Sequence, residues 1–168
     1  TAAFLQKIAI FTLEPHMRAM FGAGLPEINW QEIVRTGKTV LFDLRHVYDV
    51  ERQQFLLLWI LSYFLSFVKH RGVGQHKPIA LTIDELSVLS NLDKRTGFGL
   101  FATMIDELLN VWSRQGQVWV TLAHQESWQL SESMQKTLQS CGTRIMGRTS
   151  DWESAMQLAY ELMPADPR

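Results

Sequence analysis

The stretch Pro78-Ile79-Ala80-Leu81-Thr82-Ile83-Asp84-Glu85 constrains this chain more than any other. It is a short, almost wholly apolar run that closes on two adjacent carboxylates. Such a run predicts a strand buried on both faces, because a half-exposed strand alternates apolar and polar residues. Open parallel sheets hold ligands at the C-terminal ends of their strands, which is where Asp84 and Glu85 stand. Two carboxylates are costly to bury unless a cation or a proton-transfer task holds them. The alternative is a strand that ends in a solvated Asp-Glu turn. The run alone leaves both open.

The chain of 168 residues is long enough for one domain with a real core, and 46% hydrophobic against 20% charged residues is ordinary for a soluble globular protein. A net charge of −1 gives no overall footprint for nucleic acid, so any contact with a polyanion has to be local. With Cys141 the one cysteine, no intramolecular disulfide framework exists, which fits a reducing compartment. The five histidines (His16, His46, His70, His76 and His124) lack ligand-like spacing, so no zinc site is expected. The run 55–68, broken by Ser62, Tyr63 and Ser66, is too short to cross a bilayer and suits a core helix. The chain starts on Thr1 with no leader-like stretch, and the expectation is a piece of something longer.

No repeat, low-complexity tract or linker interrupts residues 1–168, which read as one unit. Residues 1–21 are helical in pattern, with Pro15 suited to a first turn and Gly22 to a stop. Asn29 and Glu32 have capping-box spacing, and Gly37 ends the short helix they open. Residues 39–44 (TVLFDL) predict a buried strand. Asp49 caps a long helix to about Lys69, apolar nearly all round between 55 and 68 and so in need of wrapping by other elements. After the carboxylate-tipped strand, residues 90–99 read as a polar loop. Residues 101–114 form an amphipathic helix with Met104, Ile105, Leu108, Leu109 and Trp112 on one stripe, and Gly116 follows its end. Residues 117–123 (QVWVTLA) predict a third strand that ends in His124-Gln125, residues 131–140 a helix, and residues 143–147 a fourth strand. Ser150 and Glu153 give another capping box, for a helix that ends before Pro164. Strands alternating with helices predict an α/β fold with a mainly parallel sheet.

Arg35-Thr36-Gly37-Lys38-Thr39 imitates the end of the Walker A phosphate loop G-x-x-x-x-G-K-[ST] and fails twice. The first glycine position holds Glu32, and the segment runs from helix to strand where the motif needs strand to helix. It is a decoy, and no other glycine-rich phosphate cradle occurs in the sequence. The joint order of PIALTIDEL, a helix ending WSRQGQ, VWVTLAHQ, a further helix and CGTRIMGRTSDWESAMQLAYEL is far more specific than any one of these motifs. It resembles the C-terminal half of the motor domain in the HerA–FtsK class of RecA-like ATPases. Within that class it is most similar to conjugative coupling proteins (TraG/TraD-like) and type IV secretion ATPases, over nearly the whole chain.

The resemblance implies a three-layer RecA-like P-loop NTPase core, here without its Walker A strand and loop, which are expected upstream of residue 1. It implies a ring, usually a homo-hexamer, that uses ATP and Mg²⁺ to pump DNA or a DNA–protein complex in conjugation. Type IV secretion or relaxosome proteins are the implied partners. The implied location is the cytoplasm, at the cytoplasmic face of the bacterial inner membrane, with membrane association through other parts of the protein. Asp84 and Glu85 match the Walker B pair, Asp84 for the magnesium shell and Glu85 to polarise the attacking water. Gln125 matches the polar sensor that reads the γ-phosphate.

Arg114, eleven residues before Gln125, stands where coupling proteins carry an arginine that reaches the neighbour's nucleotide. A last-turn arginine that complements the helix dipole accounts for it as well. Arg148, beyond the fourth strand, matches a further basic position of the family, while Arg144 has no assigned role. In the family's strand order the missing strand lies between the third and fourth strands here, so an empty slot beside residues 117–123 is expected. This chain alone is then expected to be marginal in stability and unable to hydrolyse ATP. Three other readings stand beside the motor: a catalytically silent interaction module, a HerA-like repair translocase, and a metal-dependent nuclease using Asp43, Asp84 and Glu85.

Overall fold

Parallel strands cannot be joined by a tight turn, so the two strands found among the described residues are linked by a helical crossover. In the computed structural model, β1 (Ile79–Ile83) and β2 (Val118–Leu122) pair in parallel, with Ile79 opposite Val118 and Ile83 opposite Leu122. The ladder runs past both ends: Ile79 N–H donates to the Gln117 carbonyl at 2.9 Å, and Ala123 N–H donates to that of Ile83 at 2.9 Å. The structure describes residues 15–22, 28–47, 49–96, 99–125 and 129–148, with 152, 155, 156 and 159. The chain divides into two compact units, Thr1–Lys38 and Thr39–Arg168, where the sequence reads as one.

In the first unit, α1 covers Pro15–Gly22 and α2 covers Trp30–Thr36. The Asn29 side chain accepts the Glu32 N–H at 3.0 Å. Gly37 closes α2 in the left-handed region (φ 68°), donating to the Ile33 and Val34 carbonyls. The glycine of the false phosphate loop is thus a helix C-cap. The part of the first predicted helix over 1–14 lies outside the described residues.

In the second unit the long helix α3 (Val50–Arg71) starts on Asp49, whose carboxylate accepts the Arg52 N–H. Behind β1 come α4 (Ser87–Thr96) and α5, which runs Leu100–Glu107, opens into a π turn at Leu108–Trp112 and closes with Ser113–Gln115. After β2, Ser131 caps α6 (Glu132–Leu138). Contacts join α3 to α4 and α5, α5 to α4 and α6, and the π turn to β2. The core they enclose holds Phe64, Val68, Leu86, Leu89, Phe101, Ile105, Leu108, Val118 and Met134, all buried. Fully burying one such side chain contributes about 1.5–3 kcal/mol.

One buried polar device sets the start of α5. Gly99 stands at the N-cap with no side chain to offer. Asp93, 3% exposed, takes its place from α4: Oδ1 accepts the Phe101 N–H at 3.0 Å and Oδ2 the Ala102 N–H at 2.8 Å. Asp93→Ala leaves two buried donors unpaired, so it should cost about 1–3 kcal/mol. Chemical denaturation checks this; a midpoint like that of the unaltered protein would show that solvent replaces the cap.

The sheet is smaller than the sequence predicts. Residues 39–44 and 143–147 are irregular, not strands, and they leave Leu41 87% and Ile145 96% exposed. β-branched, apolar composition favours a strand only where a partner ladder satisfies the backbone, and neither segment has one among the described residues. Among the described residues β2 pairs only with β1, so the edge that would border the expected slot is bare. Burial along both strands alternates, with Ala80, Thr82, Trp119 and Thr121 outward. The expectation of strands buried on both faces is therefore corrected. The fold is mixed α/β with a small open parallel sheet.

α3 is likewise buried along one face, at Gln54, Leu61, Phe64, Leu65 and Val68, with Leu56 buried off that face and the rest half-exposed or exposed. The loop predicted over 90–99 is mostly helix. Leu86, Leu89, Ser90 and Asp93 repeat at helical spacing and are all buried, so packing overrides the turn-forming composition. The capping box at Ser150 lies outside the described residues. No described helix is long and apolar enough to cross a membrane.

Candidate functional site at the strand tips

Because β1 and β2 are parallel and in register, the segments leaving Ile83 and Leu122 emerge side by side. Leu86 N–H donates to the Ala123 carbonyl at 3.0 Å, tying the two exits together. Across this tip the Gln125 side-chain amide donates to Glu85 Oε2 at 3.1 Å. The other carboxylate oxygen, Oε1, accepts the Ser87 hydroxyl at 2.7 Å. The exposed Asp84 carboxylate accepts the Glu85 N–H at 2.9 Å. Asp84, Glu85 and Gln125, expected together at one end of a parallel sheet, are placed there.

Glu85 adopts the left-handed region (φ 56°). A residue with a Cβ is rare there, at a cost of order 1–3 kcal/mol, and such strain concentrates at functional sites. Here it helps turn the chain from strand into α4 over the three residues Asp84, Glu85 and Leu86, and the Glu85 carboxylate meets Gln125 across the tip of β2. The Glu85 carbonyl is held by the Val88 N–H at 3.1 Å. A strained backbone and a carboxylate bonded at both oxygens give a fixed acceptor beside an exposed acid.

Among the described residues no three His, Cys, Asp or Glu side chains converge on a metal position. The donor set fits a hard cation that keeps most of its waters and takes one protein carboxylate, the ordinary way of magnesium with phosphates; Asp84 would supply it. Asp43 does not join the cluster. Its carboxylate is engaged by the Arg45 side chain at 2.7–3.1 Å and by the Arg45 N–H, which holds its pKa well below the usual range. A carboxylate so occupied is a turn brace, and the two-metal arrangement a nuclease needs is not assembled by these residues.

Arg114 stands at the other end of β2. Five residues of strand span about 17 Å, so Arg114 and the Glu85 tip lie at opposite ends of the strands. Its side chain is exposed and makes no hydrogen bond or ion pair among the described residues. Its helix end is nonetheless firmly shaped. In the π turn Ser113 N–H reaches the Leu108 carbonyl, and the Trp112 indole donates to Glu107 at 2.9 Å, five residues back. Lys69 of α3 pairs with the same carboxylate at 2.9 Å. Burial pushes the Glu107 carboxyl up, but these two partners overcome it and hold its pKa below the ordinary value. Gly116 lies under Trp112, where a Cβ would meet the indole at 3.0 Å and the Trp112 carbonyl at 3.1 Å. Arg148 lies exposed at the end of the irregular segment after Gly142, which forms no strand.

Sequence reasoning missed Ser87, Gln54 and the π turn. A hydroxyl two residues beyond Glu85 is a signal that would have found Ser87. Glu107 and Trp112, five apart, carry none, because an α-helix would set them on different faces. Comparison of the chain with protein-family models, curated proteins and solved structures finds no match.

Proposed function

We propose that this chain is the Walker B half of a RecA-like ATPase motor that moves DNA, or a DNA–protein complex, in conjugation or type IV secretion. The observation that carries the proposal is the strained Glu85, bonded to Gln125 across the tips of two parallel strands and next to the exposed Asp84. In this reading Asp84 holds the shell of a magnesium ion that accompanies ATP. Glu85 takes the proton of the attacking water, and Gln125 senses the γ-phosphate beside it. Bound magnesium supplies neutralisation of phosphate charge. The edge of β2 away from β1, unpaired among the described residues, would take the strand that carries the phosphate loop.

Arg114 serves the site of a neighbouring subunit, which calls for a ring, taken here as a homo-hexamer. Arg148 is the second basic group offered to that interface. The working location is the cytoplasmic face of the inner membrane, with secretion or relaxosome proteins as partners. Asp84→Asn in the full-length protein tests the assignment at the binding step. Magnesium-dependent ATP affinity should fall by about tenfold or more, for loss of a charge-assisted contact, while magnesium-free binding changes little. Equal affinity with and without the substitution would remove Asp84 from the metal's surroundings.

A further inference from the structure

Glu85 is held in place by more than the strand it ends. Ser87, 8% exposed at the start of α4, donates to Glu85 Oε1 at 2.7 Å. The turn that carries both is fastened to α3. Gln54, 1% exposed, donates its side-chain amide to the Val88 carbonyl at 2.9 Å, and Val88 N–H in turn holds the Glu85 carbonyl. The Gln54 Oε1 atom is buried with no hydrogen-bond partner among the described residues. An unpaired buried acceptor is destabilising, and an apolar side chain of like length would avoid it. The amide contributes instead a fixed position for the first turn of α4 relative to α3.

We propose that Ser87 and Gln54 are positioning residues for Glu85, Ser87 by orienting its carboxylate and Gln54 by anchoring the turn that bears Ser87. This rests on the reading of Glu85 as the group that takes the water's proton. Without the Ser87 bond the carboxylate rotates about its side-chain torsions, with Gln125 as its remaining restraint. A base out of line by about 1 Å loses much of its effect, of order a hundredfold in the extreme. The substrate's phosphates do not touch Ser87 in this scheme, so binding should be spared.

The test uses the full-length protein. Ser87→Ala should lower kcat about tenfold, with KM and ATP affinity within about twofold. Ser87→Thr, which keeps the hydroxyl, should recover most of the rate. In a Glu85→Gln background Ser87→Ala should cause no further loss, since the group it orients is gone. Gln54→Met keeps the length, removes the donor and should give the same kcat-only loss, so it carries the test if Ser87→Ala does not fold. A lowered melting temperature with kcat intact in these variants would overturn the proposal while leaving Glu85 in its role. Unchanged hydrolysis in Glu85→Gln itself would overturn both.

Discussion

Glu85→Gln in the full-length protein should bind ATP and magnesium as the unaltered protein does and hydrolyse ATP slower by about two or more orders of magnitude. The change replaces one carboxylate oxygen by an amide nitrogen. It leaves the Cβ, and so the backbone demand at φ 56°, untouched. The remaining carbonyl oxygen can still accept from Ser87 or Gln125, which keeps the local fold and confines the loss to proton transfer. Melting temperature should therefore move little while turnover collapses. Steady-state hydrolysis with parallel nucleotide-binding measurements checks it. Turnover within twofold of the unaltered protein would show that Glu85 is only the closing residue of a strained turn.

The second large effect is expected at Arg114, and it should cross a subunit boundary. In its own chain Arg114 lies a strand's length from Glu85, about 17 Å, beyond the reach of any side chain. An exposed cation with no partner among the described residues of its own chain is available to a neighbour. Arg114→Ala alone should lower hydrolysis by about a thousandfold, the lower end of what an arginine supplied in trans contributes. Mixing Arg114→Ala subunits with Glu85→Gln subunits should restore part of the activity, because some interfaces then join an intact Glu85 to an intact Arg114. A last-turn arginine that merely complements the helix dipole contributes about 0.3–1 kcal/mol. That role predicts a small drop in melting temperature, near-normal turnover in Arg114→Ala alone, and no complementation on mixing.

The features legible in the sequence are those decided within a few residues. Asn29 and Asp49 accept the helix N–H groups that their spacing assigns to them, and Gly37 ends its helix because a residue without a Cβ enters the left-handed region readily. The two strands and the grouping of Asp84, Glu85 and Gln125 were legible for a related reason. An apolar run closed by polar residues fixes where a strand ends, and parallel pairing then brings the ends together.

Features that depend on partners far along the chain were not legible. Residues 39–44 and 143–147 carry strand-forming residues and remain irregular, because a strand needs a ladder. Residues 90–96 carry turn-forming residues and are helical, because Leu89, Ser90 and Asp93 face a core that only the folded chain creates. The π turn, its Trp112–Glu107–Lys69 chain and the Ser87 bond to Glu85 are tertiary choices of the same kind.

The structure of the full-length protein with magnesium and a non-hydrolysable ATP analogue tests the central claim most directly. The nucleotide should lie at the β1–β2 tips, with the metal's water shell against Asp84 and the γ-phosphate within hydrogen-bonding distance of Gln125. A strand from outside residues 1–168 should pair with the edge of β2 away from β1 and lead into the phosphate loop. A nucleotide bound elsewhere, or residues 143–147 paired directly with β2 as a closed sheet, would contradict the claim that this chain is half of a motor.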